Sequence, residues 1–342
     1  MTSGPTRLLL LAAAWLCLLT AKPWAALQVD ILRPVAALPP HISGLFEEPL
    51  AFQQSQDGTY YVFDRRGHSV YAIDASREDV RKVIEIGPEI GRIIQPRAFD
   101  STQEGTFVIA DAPRGQERIQ IFAPGGLRTQ GFFLPGRVTQ SVTVGGLVLN
   151  GVASLRLAGR SLLISQPDSG RLFTEYSRAG VPMRSIGELR KTGFEDDFLL
   201  HTALNAGLAL ADPAGGYYFV FLTGRPMFRK YDAAGTLVFE RHIEGTELDA
   251  FVEALPNRWP TRRVDDREIP YVAPTIRTAA VDAQSRLWIS LTLPYTYVYD
   301  AHGDKVRTVQ FSSTGIFAPT SLAFSPSGRV LVTPGCYEFD PS

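Results

Sequence analysis

The sequence predicts an all-β chain closed into a six-bladed β-propeller of four-stranded blades. Three observations predict it. A unit of short strands recurs six times, each unit turns on a small residue at the same place, and those turns are spaced like blades. The strands inside each unit are rich in β-branched and aromatic residues, which excludes a helical solenoid. The 342 residues are 45% hydrophobic and hold 30 Gly and 24 Pro. That apolar share excludes whole-chain disorder, and the Gly and Pro suit many turns between strands. A formal net charge of -1 gives no electrostatic case for a nucleic-acid partner.

The chain begins with a segment that reads as an address. Residues 1–26 hold a basic Arg7, an apolar run from Leu8 to Leu19 and the small residues Ala21, Ala25 and Ala26. Such a run makes roughly 18 Å of helix, short of a hydrocarbon core of about 30 Å. A cleaved secretory signal fits it, and the mature protein is expected to be secreted or periplasmic. Its removal takes Arg7, Lys22 and Cys17, so the mature charge becomes 32 minus 35, or -3. Cys336 is then the one remaining cysteine, read as a buried small hydrophobe. No other apolar run approaches 18 residues, so no membrane span is expected after cleavage.

The six copies follow in order over residues 27–342. The first runs from Pro49 to Asp74 (PLAFQQSQDGTYYVFD, then SVYAID), and the second from Pro96 to Gly126 (PRAFDSTQEGTFVIAD, then RIQIFAPGG). The third spans Asn150 to Gly180, the fourth Gly207 to Gly235, the fifth Arg277 to Gly303 and the last Pro319 to Asp340. Their first-turn anchors are Gly58, Gly105, Gly159, Gly215, Ser285 and Gly328, at spacings of 47, 54, 56, 70 and 43 residues. The last copy stops after its third strand. Gln28 to Leu38 precedes the first copy and has strand composition, so it is expected to supply the missing outer strand and close the ring. The 70-residue spacing holds an insertion over 244–270. In it Leu248, Phe251, Val252 and Leu255 recur at helical spacing, with Thr246 as cap and Pro256 as stop. This predicts one short amphipathic helix, packed on the propeller flank or closing the channel mouth with Arg258 and Trp259 toward a ligand.

Inner strands of a propeller converge on a central channel. The residues just upstream of them are candidates for a ligand site from topology alone: Glu47, Glu48, Arg97, Asn150, Asn205, Arg277 and Thr320. Two arginines suit an anionic ligand, whereas a carboxylate with two amides offers oxygen ligands to Ca²⁺. The bland alternative is that these groups cap strand ends and bind channel water. The five histidines each stand alone. Gly-x-Ser-x-Gly and the phosphate-cradling Gly-x-x-x-x-Gly-Lys are both absent. The acidic run Glu195–Asp197 reads as a solvated loop.

Two resemblances bear on this. FRKYDAAGTLVFE and YVYDAHGDKVRTV resemble the repeats of NHL-type (TolB-like) six-bladed propellers, which implies the fold and leaves the activity open. Glu47-Glu48-Pro49 and Asn150-Gly151 are more weakly similar to blade entries of the gluconolactonase-like family. That likeness implies a divalent-metal site, but Arg97 stands where that family has an Asn and Asn205 where it has an Asp. The expectation is therefore an exported, monomeric binding module for a protein, peptide or glycan, without catalysis. The alternative is a divalent-metal-dependent hydrolase or lactonase with its site in the channel mouth.

Overall fold

The computed structural model describes residues 29–134, 142–144, 147–149, 152–264 and 267–341. The segment read as a signal, Gln28 and Asn150 lie outside them. The chain enters through β1 (Val29–Leu32), β2 (Pro34–Ala37) and a single helical turn, α1 (Pro40–Ser43). Blade 1 follows as β3 (Pro49–Gln54), β4 (Tyr60–Asp64), β5 (Ser69–Ile73) and β6 (Val80–Ile84). Blade 2 is β7 (Ala98–Ser101), β8 (Phe107–Asp111), β9 (Arg118–Phe122) and β10 (Arg128–Phe133). After the short strands β11 (Val142–Val144) and β12 (Leu147–Leu149) comes blade 3: β13 (Ser154–Ala158), β14 (Ser161–Ser165), β15 (Arg171–Ser177) and β16 (Pro182–Glu188). Helix α2 (Phe198–Leu204) leads into blade 4, made of β17 (Gly207–Ala211), β18 (Tyr217–Phe221), β19 (Met227–Tyr231) and β20 (Leu237–His242). Helix α3 (Thr246–Glu253), β21 (Thr261–Val264) and β22 (Arg267–Val272) precede blade 5. That blade is β23 (Ile276–Val281), β24 (Leu287–Leu291), β25 (Thr296–Tyr299) and β26 (Lys305–Ser312), with β27 (Ile316–Phe317) beside β26. Blade 6 holds β28 (Ser321–Phe324), β29 (Val330–Thr333) and β30 (Tyr337–Phe339).

The second strand of every blade is buried along its whole length, from YYVFD in β4 to VLVT in β29. Each lies between two neighbouring sheets, so both of its faces meet protein, which explains its unbroken apolar composition. The fourth strands, such as VRKVI in β6 and LVFERH in β20, face solvent and carry the charges. Aromatic rings join consecutive blades: Phe63 stacks on Phe99 at 5.5 Å, Phe228 meets Tyr299 at 4.9 Å and Trp288 meets Phe324 at 5.7 Å. Cys336 is buried, and burial pushes its thiol up to about 12.

The ring closes through the N-terminal strands. β2 pairs antiparallel with β30 and completes blade 6, while β1 adds in parallel to the outer edge of β26 in blade 5. Tyr60 donates to Glu338 across the same seam at 2.7 Å, and Arg77 pairs with that carboxylate.

All six first-turn anchors take left-handed backbone angles, with φ of 88°, 79°, 58°, 105°, 61° and 83° in chain order. Five are glycine, for which that region is free of steric cost. Ser285 is the exception and has the same geometry at a cost of about 1–2 kcal/mol. Ser285→Gly is expected to raise stability by roughly 0.5–1 kcal/mol after the extra backbone entropy of glycine is subtracted. Urea unfolding of the two proteins measures it.

The insertion helix forms where expected and lies on the flank. Leu248 is buried with Ile243, Phe228 and Tyr297 between blades 4 and 5, and Val252 packs beside them. Gly245 occupies the cap position in place of Thr246, which is the first helical residue. A Cβ at position 245 would collide with the Tyr297 hydroxyl, so the close approach selects glycine there. The fold holds more than the one expected helix. In α2, the Asp197 carboxylate accepts the Leu200 amide at 3.1 Å, so part of the acidic run read as a solvated loop is a helix cap.

Candidate functional site

The two ends of the channel are built differently. At the end where the chain enters the inner strands, three consecutive loops are tied together. β11, which precedes blade 3, pairs in parallel with β22, which precedes blade 5 (Thr143 opposite Tyr271, Val144 opposite Val272). β12 and β21 extend this into a four-stranded sheet. α2, from the loop between them, packs Leu200, Ala203 and Leu204 against Val272. The result is a cap made of segments far apart in sequence.

Beneath and around this cap, the expected site residues are mostly engaged with the protein itself. The Glu47 and Glu48 amides donate to Asp64 at the end of β4, at 2.9 and 2.8 Å. The Glu48 carboxylate is forked by Arg65, while the Glu47 side chain is exposed. In blade 2, the equivalent Asp111 accepts the Ile94 amide at 3.1 Å and holds Arg118 through two contacts of 2.8 and 2.6 Å. The acid that ends the second strand thus pins the entry loop in both blades. Asn205 is fully buried; it accepts the Arg190 amide at 2.8 Å and donates to the carbonyls of Arg190 and His201. Thr320 shares a hydroxyl hydrogen bond with Thr333 at 2.9 Å. Arg277 is exposed at a register shift between Ile276 and Thr278. Arg258 is exposed, and Trp259 lies half-buried against the α2 cluster. These residues are therefore spread around the entry end.

Arg97 alone among them enters a cluster of ionisable groups. Its Nε lies 3.4 Å from Glu117 Oε1; the Glu117 side chain is buried and that of Arg97 is partly so. Burial pushes the Glu117 carboxyl up to about 7; Arg97 opposes the shift, and Asp111 and Asp168 add to it. Burial likewise raises Asp168 and lowers Arg97.

With Glu48 clasped by Arg65 and the Asn205 oxygen taken by a backbone amide, two of the oxygens expected for Ca²⁺ are already committed. Millimolar Ca²⁺ is therefore expected to leave the melting temperature equal to that in EDTA. A ligand that bound only the folded state would raise it. A rise of several degrees restores the metal-dependent reading.

The opposite end, where the inner strands run into their first turns, opens into a cavity of about 890 Å³. Its wall is divided. On blades 1 to 3, Asp100 accepts from Gln53 Nε2 at 2.9 Å, from Arg156 Nη1 at 3.2 Å and from the Leu157 amide at 2.7 Å. Ser101 donates to Gln53 at 2.6 Å and completes the network. On blades 4 to 6 the inner-strand part of the wall is Leu210, Ala211, Ala279, Ala280, Leu322 and Ala323, while turn residues such as Asp282, Gln284, Ser325 and Ser327 also line the cavity. Arg286 and Arg329 stand among the outer lining residues. Gln53, Asp100, Leu210, Ala280 and Ala323 each lie five residues before their turn anchor. With Ser154 at the same offset in blade 3, this repeat position is polar in three blades and apolar in three. That departure from the repeat is the sequence signal for this cavity, and reading only the strand entries passes over it.

No protein-family model matches the chain, and no curated protein matches it. Solved structures do. A streptogramin B lyase superposes with a TM-score of 0.51 at 12% identity, covering 86% of this chain and 93% of that one. A catalytically inactive virginiamycin B lyase from Staphylococcus aureus, solved with quinupristin, gives 0.52 at 8% identity over 85% and 93%. The likeness is one of fold. The WD40 propeller domain of Doa1 gives 0.48 at 9% identity over 91% and 97%. Among the described residues no helix is long and apolar enough to cross a membrane.

Proposed function

We propose that this chain is an exported binding module that holds a ligand in the cavity at the turn end of its channel, without catalysis. The observation that carries the reading is the divided wall. The Gln53–Asp100–Arg156 network offers fixed donors and acceptors on one side, and small apolar side chains offer a surface to exclude water on the other. A peptide or glycan with one polar edge and one apolar face suits that arrangement. Export rests on residues 1–26, and membership among the NHL-type propellers rests on the FRKYDAAG and YVYDAHG repeats. A lyase of the same fold was solved with quinupristin, a precedent for ligand capture by such a ring.

The probe for the test is 8-anilinonaphthalene-1-sulfonate, which joins an apolar ring system to one anionic group. Saturable fluorescence enhancement is expected, weakened about tenfold by Arg156→Ala and lost in Ala211→Phe, which fills the cavity. A tenfold loss corresponds to about 1.4 kcal/mol. Melting curves establish that both variants fold. Equal saturable binding in all three proteins removes the cavity from the reading. A thermal-shift screen of short peptides and oligosaccharides on the same proteins then gives the ligand class.

A further inference from the structure

Blade 3 carries a charge that the rest of the chain does not. Residues 152–191 hold seven Lys and Arg against three Asp and Glu, a net of +4 in a chain whose total is -1. Where blade 3 meets blade 4, on the outer side and apart from the channel, a groove of about 430 Å³ opens. Arg171, Arg190, Lys191 and Arg229 line it, with Glu188 as its one acid. Glu188 is highly exposed and lies 3.9 Å from Arg171.

Arg190 is the unusual member. It is 9% exposed, and its guanidinium donates to the carbonyls of Arg225 at 3.0 Å and of Leu204 and Thr223 at 2.5 Å. It lies 4.5 Å from the centre of the Phe221 ring, and Arg229 lies 5.3 Å from the same ring. Glu240 accepts from Arg229 at 2.6 Å. Among the described residues no carboxylate pairs with Arg190 or with Lys191. Carbonyl dipoles and a ring face orient a guanidinium, but they leave its charge uncancelled. Burial, together with the charge of Arg229, pushes Arg190 down to about 10. Two arginines therefore share one aromatic ring, the carboxylate of Glu240 pairs with Arg229, and a further lysine stands at the rim.

We propose that this groove binds a tetrahedral oxyanion, phosphate or sulfate, either as the free ion or as an ester on a sugar. Such a group supplies the counter-charge that the groove lacks. Its oxygens match the donor geometry of arginine better than a monovalent halide does.

Calorimetric titration with inorganic phosphate, with sulfate and with glucose 6-phosphate tests it, at constant ionic strength set with chloride. Saturable binding at millimolar concentrations is expected. The exposed pair Arg171→Ala with Lys191→Glu is expected to weaken it at least tenfold with an unchanged melting curve. Tighter binding of the sugar phosphate identifies an ester as the source, and equal binding identifies the free ion. Arg156→Ala, in the channel, is expected to have no effect. A heat that does not saturate, or equal affinity in the groove variant, overturns the proposal. So does loss of phosphate binding in Arg156→Ala, which would place the anion in the channel instead. Because the channel test uses a different cavity and a different probe, either site can fail alone.

Discussion

Deleting residues 29–38 is expected to lower the melting temperature by roughly 10 °C or more and to make the protein associate. Two buried leucines leave with the segment. Leu32 packs with Trp288, Val309, Phe311 and Leu322; Leu38 packs with Ile42 and Cys336. Each contributes about 2 kcal/mol of apolar burial. The paired backbone of β2 and β30 and the Arg307–Asp30 contact at 2.5 Å go as well. A net loss of about 5 kcal/mol is therefore a reasonable scale, given net hydrogen-bond contributions of about 1 kcal/mol. The second consequence concerns edges. β30 and β26 would each present unpaired amides and carbonyls, which is the template for strand addition by another molecule. Thermal melts read the first effect, and size-exclusion chromatography across a concentration series reads the second. The double variant Leu32→Ala, Leu38→Ala keeps the strands and removes only the burial, so it reports the core contribution if the deletion fails to fold. A deletion protein that melts as the full chain does, and elutes at the same size as the full chain at every concentration, would show that the ring closes without this clasp.

The architecture was legible because it is written in local, repeated chemistry. Each copy contains its own turn anchor, its own unbroken apolar second strand and its own charged outer strand, so six copies agree on one reading. The missing sixth outer strand and its replacement from Gln28–Leu38 followed from counting. The open end of the channel was harder to read. It depends on β11 and β22, which meet across a separation of well over a hundred residues and seal the entry end with a sheet that no local pattern announces. Strand entries such as Asn205 and Glu48 look like a ligand set in sequence because they are polar and in register. In the structure they cap α2 and pin an entry loop, since every backbone amide near a strand end needs a partner. The cavity wall was legible in principle: Gln53 and Asp100 are polar at a repeat position that Leu210, Ala280 and Ala323 keep apolar. Helix α2 hid behind an acidic run whose last member is its cap.

Glu117 is expected to make the protein less stable as pH rises from about 4.5 to about 7. Its carboxyl is buried, neither oxygen has a hydrogen bond among the described residues, and its ion-pair partner there is Arg97 at 3.4 Å. Burial is the main cause of its rise from 4.5 to about 7, and the neighbouring charges of Asp111 and Asp168 add to it. An acid whose folded value is raised holds its proton in the native state when the unfolded chain has released it. Folding then takes up protons, so stability falls with rising pH through that window and stays lower above it. A shift of this size corresponds to about 3 kcal/mol as an upper scale. Glu117→Gln keeps the shape, removes the titration and is expected to be the more stable protein at pH 8. At pH 5.5, where most of the wild-type side chain is neutral, the two should be much closer. Urea unfolding at both pH values measures the difference, and the two proteins should differ in slope as well as in midpoint. Parallel pH profiles would mean that Glu117 is ionised without penalty, and that Arg97 offsets the burial fully. With both oxygens sealed from solvent, the Glu117 carboxyl is out of reach of a ligand at the entry end.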